Sequence, residues 1–176
     1  MTTDDTPENT TDDDSIDPIT FTVLWDRIVS ICEEMGITLQ RTGKSEAVSA
    51  GQDFSTALFD REARMVAQGN FSPGHLGSMP HAVEAVLERF PREELSGGDG
   101  IVLNDPQLGS GHLPDLFLVT PIEIEGRIEG FAVNVAHHID VGGLTPGSQA
   151  VEATELYQER LRLFPTKAIE GGEMRP

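Results

Sequence analysis

Apolar positions spaced three and four apart open the readable part of the chain. Phe21, Leu24, Ile28, Ile31, Met35 and Leu39 fall on one stripe running to about Gln40, the period of an amphipathic helix. Asp17 followed by Pro18 supplies its start, since Asp is a good N-cap and Pro lacks an N–H that the first helical position does not need. The pattern then changes to short apolar runs broken by turn residues. Residues 53–60 and 64–68 read as two strands around a short turn, and 69–77 as a loop that exposes His75. Ser78 is the expected N-cap of a second helix, with Met79, Ala82, Val83, Val86 and Phe90 on its buried face. After Gly97-Gly98, residues 99–104 read as a strand, and residues 116–135 as an apolar hairpin turning near Glu125-Gly126. Residues 149–163 suggest a further helix carrying Leu156, Tyr157, Arg160 and Leu161, and 164–172 a short strand and turn. Together these predict an α+β fold: a mixed or antiparallel sheet with hairpins and a long N-terminal amphipathic helix.

Charge changes this picture at one end. The formal charge is −18, and seven acids with no base fall within the first 17 residues. That run is too polar to bury a core, so residues 1–16 are expected to be a disordered acidic tail. The remaining 23 acids still face 12 bases, of which only Lys44 and Lys167 are lysines. Acid excess with few lysines suits a surface adapted to high salt, where screening removes self-repulsion, and so points to a halophilic source. It argues against nucleic acid and anionic membrane as partners. No apolar run approaches a membrane span and the N-terminus has no signal-peptide pattern, so a cytoplasmic location is expected. Cys32, the single cysteine, sits on the apolar helical face and reads as core.

Candidate chemistry concentrates between Asn104 and Gly143, where His112, His137 and His138 lie beside acids and glycines. A Gly/Pro-rich loop delivers His112 and Asp115 three positions apart, and the hairpin returns His137 towards them. Two imidazoles and a carboxylate, with positions left for water or substrate, suit a catalytic divalent ion. Adjacent strand residues face opposite ways, so only one of His137 and His138 can enter such a site without a bulge. His138, Asp140 and Asp105 then remain as a fourth ligand or as groups that orient ligands, with His138 and Asp140 placed to move a proton. His75, flanked by glycines, and Asp105 are candidate substrate contacts. Gly43-Lys44-Ser45 is not a phosphate loop, because a helix precedes it and no upstream glycine pattern exists. An iron oxygenase triad fails on spacing, since its first histidine and acid are separated by one residue and here by two.

Asp17-Pro18-Ile19-Thr20, Asp53-Phe54-Ser55, the run from His75 to Pro80, Asn104-Asp105-Pro106, the run from Gly111 to Asp115, the run from Ala136 to Gly143 and the run from Glu155 to Glu159 resemble, in order, the hydantoinase B family. That family includes N-methylhydantoinase B subunits, part of 5-oxoprolinase and the large subunits of acetone carboxylase-type enzymes. The resemblance implies that residues 17–176 are the N-terminal part of a larger hydantoinase B-type domain. It implies a hydrolase that opens a cyclic amide such as a hydantoin or 5-oxoproline, with His112, Asp115 and His137 as metal ligands. Manganese is the first choice of ion, with zinc or iron as alternatives. The partner it implies is an A-type subunit with an actin-like fold, which uses the ATP that this chain does not bind, in a hetero-oligomer. Two alternatives carry the same words: an ATP-dependent ketone carboxylase, and a truncated non-catalytic subunit that binds an A-type partner through its first helix. Residues 42–52 depart from the family's usual basic run before Asp-Phe-Ser.

Overall fold

Asp17 accepts hydrogen bonds from the Ile19 and Thr20 N–H groups at 3.0 and 3.1 Å and so fixes the start of helix α1, Pro18–Thr42. In the computed structural model, which describes residues 16–147, 150–159 and 161–176, this helix runs two residues past the predicted end. The expected acidic tail falls almost wholly on residues outside those described. A single turn, α2 (Glu46–Ser49), follows, then strands β1 (Phe54–Asp60) and β2 (Met65–Gln68). Helix α3 (Met79–Arg89) precedes strands β3 (Gly100–Leu103), β4 (Asp115–Ile124) and β5 (Arg127–His137), and β6 (Thr166–Glu170) and β7 (Glu173–Met174) close the chain.

The seven strands among the described residues join one sheet in the order β2-β1-β5-β4-β3-β6-β7, and every pairing is antiparallel. The α+β expectation holds, with the sheet antiparallel throughout. Alternation along the strands sorts side chains to two faces. Ala57 and Phe59 of β1, Phe131, Val133 and Val135 of β5, and Phe117 and Val119 of β4 share one face, where Met79, Ala82, Val83 and Val86 of α3 pack against them. The other face receives α1: the Thr56 hydroxyl of β1 donates to the Cys32 carbonyl at 2.8 Å, and Cys32 is fully buried. Burial holds its thiol above the ordinary value, as suits a core residue. Gly36 lets the helix down onto the sheet, because a side chain there would overlap the Phe71 ring.

Only the C-terminal half of α1 rests on the sheet. Ile19, Phe21, Leu24 and Trp25 of its predicted apolar stripe and flanks are exposed. Two other expectations fail locally. Ser78 adopts helical angles and its hydroxyl donates to the His75 carbonyl at 2.7 Å, so it does not cap α3, which leads straight out of a 3-10 turn at Pro73–His75. The predicted helix over 149–163 is replaced by a single 3-10 turn, Leu156–Gln158, and irregular chain among the described residues. Two contacts hold that stretch out of helix: the Gln158 side chain accepts from the Thr154 and Glu155 N–H groups, and Asn104 binds the backbone of residues 161 and 163. A side chain that offers the backbone these partners competes with helical hydrogen bonds.

Phe117 is fully buried between its register partners Leu103 and Val135. Phe117→Ala is expected to destabilise the fold by about 3–5 kcal/mol through lost burial and the cavity left behind, as measured by urea unfolding followed by circular dichroism.

Candidate metal centre

The apolar face of the sheet turns polar at one end. Asp53 lies just before β1, His137 is the last residue of β5 and Asp115 the first of β4. By alternation they continue the rows that hold Ala57 and Phe59, Phe131 to Val135, and Phe117. Asp115 and His137 are direct register partners, and the His137 N–H donates to the Asp53 carbonyl at 3.0 Å, extending the β1–β5 ladder by one residue. Residues opposite one another in an antiparallel pair point to the same side. The sheet therefore sets a carboxylate, an imidazole and a second carboxylate in one row across three strands.

The connection from β3 to β4 adds His112. Asp105 accepts from the Gln107 N–H at 2.9 Å, and its backbone carbonyl receives Leu108 and Ser110, so the chain turns sharply after β3. Gly109, at φ 118°, lies where a Cβ would come within 2.8 Å of the Ser78 carbonyl, which seats this loop on the start of α3. The Ser110 hydroxyl donates to the carbonyls of His112 and Asp115, and the Asp115 N–H donates to the His112 carbonyl at 3.2 Å. Asn104, fully buried, donates to the carbonyls of Leu113 and Leu161 at 2.7 and 2.8 Å and accepts from the Leu163 N–H. These bonds fix the turn that folds His112 back over Asp115.

At the centre, His112 Nε2 lies 2.8 Å and His137 Nδ1 3.0 Å from Asp115 Oδ1. The two rings stand 5.1 Å apart, tilted by 36°. Asp115 is buried, His137 nearly so, and the His112 side chain is 40% exposed, leaving the site open on that side. Burial pushes the Asp115 carboxyl up, but hydrogen bonds from His75, His137 and His112 outweigh it and hold the group below the ordinary carboxylate value. One ligand atom from each of His112, Asp115 and His137 lies within 4.8 Å of the others. Cis ligands of an ion with bonds of ~2.1 Å stand about 3 Å apart, so the two contacts to Asp115 Oδ1 have the spacing of a divalent-cation donor set.

The other predicted site residues are distributed as follows. His75, expected on an exposed loop, is buried with Nε2 3.4 Å from Asp115 Oδ2; the 3-10 turn folds it inward and its Nδ1 shares a hydrogen bond of 3.0 Å with the Ser55 hydroxyl on β1. Asp105 stands apart from this cluster, fully buried and paired with Arg162 at 2.7 Å. His138 is exposed, and its N–H donates to the Pro114 carbonyl at 2.8 Å. The protein around it and the neighbouring His137 keep its imidazole below the ordinary histidine value. Asp140 accepts from the Gly142 N–H at 2.6 Å and the Gly147 N–H at 3.4 Å, folding the loop after β5. Asp53 and Ser55 join the cluster through β1, and their signal in the sequence is parity: both are polar at the alternate positions that carry Ala57 and Phe59.

The family model for hydantoinase B/oxoprolinase matches residues 17–176. The 5-oxoprolinase PfmaA of Pestalotiopsis fici is 38% identical over 160 residues, which is 91% of this chain and 12% of that protein. The caprolactamase subunit beta of Pseudomonas jessenii is 34% identical over 161 residues, 92% of this chain and 28% of its own length. The crystal structure of the ATP-dependent caprolactamase from Pseudomonas jessenii superposes with a TM-score of 0.82 at 32% identity, over 92% of this chain and 28% of that one. Acetone carboxylase in its nucleotide-free structure gives a TM-score of 0.83 at 21% identity, over 90% of this chain and 21% of that one, a likeness of fold. This chain thus spans less than a third of the length of each.

Asp115 gives the centre a pH signature. A carboxyl held below its unfolded value, near ~3.9, contributes stability that is fully present above that value and lost as pH falls through the lower folded value. In metal-free protein, the stability difference between wild type and Asp115→Asn is expected to shrink as pH is lowered from about 5 to about 3, read by denaturant unfolding at each pH.

Proposed function

The chain belongs to the hydantoinase B/oxoprolinase family, and from that membership and its metal-ready cluster we propose that it is the N-terminal part of a B-type subunit that opens a cyclic amide. The observation that carries this reading is the shared oxygen of Asp115, touched by His112 and His137 from two different elements. A divalent ion held by these three residues would act as a Lewis acid on the amide carbonyl or lower the pKa of a water that attacks it. Manganese is the first choice, with zinc or iron as alternatives, since imidazole and carboxylate suit all three.

The chain's own residues supply the rest. Asp115, kept ionised by the three imidazoles around it, holds negative charge where the ion would sit. His112, the more exposed of the two imidazole ligands, forms the open side through which a lactam can enter. His138, next to His137 and held below the ordinary histidine value by its surroundings, is able to accept a proton. Asp140 positions the loop that follows it through the Gly142 and Gly147 N–H groups. Asp105, paired with Arg162, serves substrate binding indirectly by shaping the loop that carries His112.

Cyclic amide is favoured over ketone as substrate because relatives named 5-oxoprolinase and caprolactamase stand above 30% identity, whereas acetone carboxylase shares the fold at 21%. The caprolactamase is ATP-dependent and its matching chain is a subunit beta. Energy input is accordingly assigned to an A-type ATP-binding partner in a hetero-oligomer.

The test is ATP-dependent ring opening of 5-oxoproline, hydantoin and caprolactam by the complex formed with an A-type subunit, together with metal analysis of the chain. His112→Ala and His137→Ala are expected to lose the bound metal and at least ~100-fold in turnover while staying folded. Undiminished turnover in both variants would overturn the assignment.

A further inference from the structure

A cleft adjoins the candidate centre on the β1 side, and Asp53 is the boundary between the two. Its side chain is 43% exposed, with Oδ2 3.9 Å from His137 Nδ1. With Gly51, Gln52, Asn70, Phe71 and Pro73 it lines a space of about 480 Å³, within the range of small-molecule sites. Phe71 gives the cleft a fixed apolar wall, because its ring packs on Phe54 with centroids 4.6 Å apart and fills the space left by Gly36 and Gly69. Gln52 and Asn70 are exposed and bring two carboxamides to it. Among the described residues that line it there is no lysine or arginine, and Asp53 is the one charged side chain.

Gln52 is held there under strain. Its φ is 52°, a left-handed angle that a side chain disfavours. Among the described residues the other non-glycines with positive φ, Ala63 and Glu125, lie in the turns of the β1–β2 and β4–β5 hairpins, where such angles are usual. Gln52 instead joins α2 to β1, and the adjacent Gly51, which could take the angle without cost, does not. The turn is closed by the Asp53 N–H on the Ala47 carbonyl and the Phe54 N–H on the Gln52 carbonyl, each at 2.9 Å. Strained residues of this kind cluster at ligand sites.

The chemistry of the lining selects a ligand. A lactam ring holds its amide cis, so the N–H and C=O share one edge. A carboxamide returns an acceptor and a donor side by side and pairs with that edge through two hydrogen bonds. The carbonyl oxygen keeps its second lone pair for activation, and the ring methylenes meet Phe71 and Pro73. A carboxylate on the ring would instead face Asp53, with no lysine or arginine to offset the repulsion. Resting on the ring-opening reading above, we propose that this cleft is the substrate subsite and selects neutral lactams over acidic ones, with Gln52 and Asn70 binding the amide edge. Caprolactam and hydantoin belong to the accepted class, and 5-oxoproline to the rejected one.

Saturation-transfer NMR at low ionic strength measures binding to the full chain without turnover. Caprolactam and hydantoin are expected to bind, with 5-oxoproline at least about tenfold weaker. Gln52→Gly is expected to keep or raise the urea unfolding midpoint, since glycine accepts the positive φ, while weakening caprolactam about 5- to 10-fold. Gln52→Lys is expected to shift the preference towards 5-oxoproline. Equal or tighter binding of 5-oxoproline by the wild type overturns the selectivity. Absence of binding by all three compounds, or caprolactam binding untouched by both Gln52→Gly and Asn70→Ala, overturns the cleft. Turnover in the complex with an A-type subunit keeps the two readings apart. Turnover that falls in His112→Ala and not in Gln52→Gly overturns the cleft alone. Lactam binding that Gln52→Gly weakens, without turnover in any complex, overturns ring opening and leaves the cleft standing.

Discussion

The pairing of β5 with β1 on one side and β4 on the other is the constraint on which the rest depends. It covers seven residue pairs with β1 and ten with β4, and both ladders reach the same end of the sheet. Because the side-chain period of a strand is two, a slip of one residue in either ladder would turn a whole row from the core to the opposite face. Phe131, Val133 and Val135 make such a slip costly, since each is fully buried against α3 and its neighbours. The apolar rows thus fix the register, and the register places Asp53, His137 and Asp115 side by side. The centre inherits its geometry from the core.

A buried carboxylate at the end of an apolar row is unfavourable alone, and its neighbours offset the cost. His75, His112 and His137 approach Asp115 from a loop before α3, from the β3–β4 connection and from β5. The second buried pair, Asp105 with Arg162, and the three hydrogen bonds of Asn104 tie the His112 loop to the chain before β6. Polar groups buried with partners on several elements fix one arrangement among the many that apolar packing alone would tolerate.

The hairpin that joins Asp115 to His137 was legible in the sequence, because alternation over 116–135 and a turn at Glu125-Gly126 bring the two ends together. The placement of β1 beside β5 was not, since periodicity gives the faces of a strand and says nothing about its neighbours. For that reason the parity of Asp53 and Ser55 gave their face but not their neighbours, and His75 read as exposed: it meets Ser55, 20 residues away in sequence. Asp105 read as a site residue because an acid on a glycine-rich loop looks alike whether it meets substrate or an arginine, here Arg162, 57 positions later. The helix expected over 149–163 failed where Asn104 takes the backbone groups of residues 161 and 163, a tertiary contact that overrides local preference.

Anomalous diffraction at the manganese edge, from crystals grown with Mn(II), tests most directly whether the end of this sheet is a metal centre. A strong peak within bonding distance of His112 Nε2, His137 Nδ1 and Asp115 Oδ1 is the result expected. Crystals that order all three side chains in hydrogen-bond contact, with no anomalous density among them at saturating Mn(II), would contradict it.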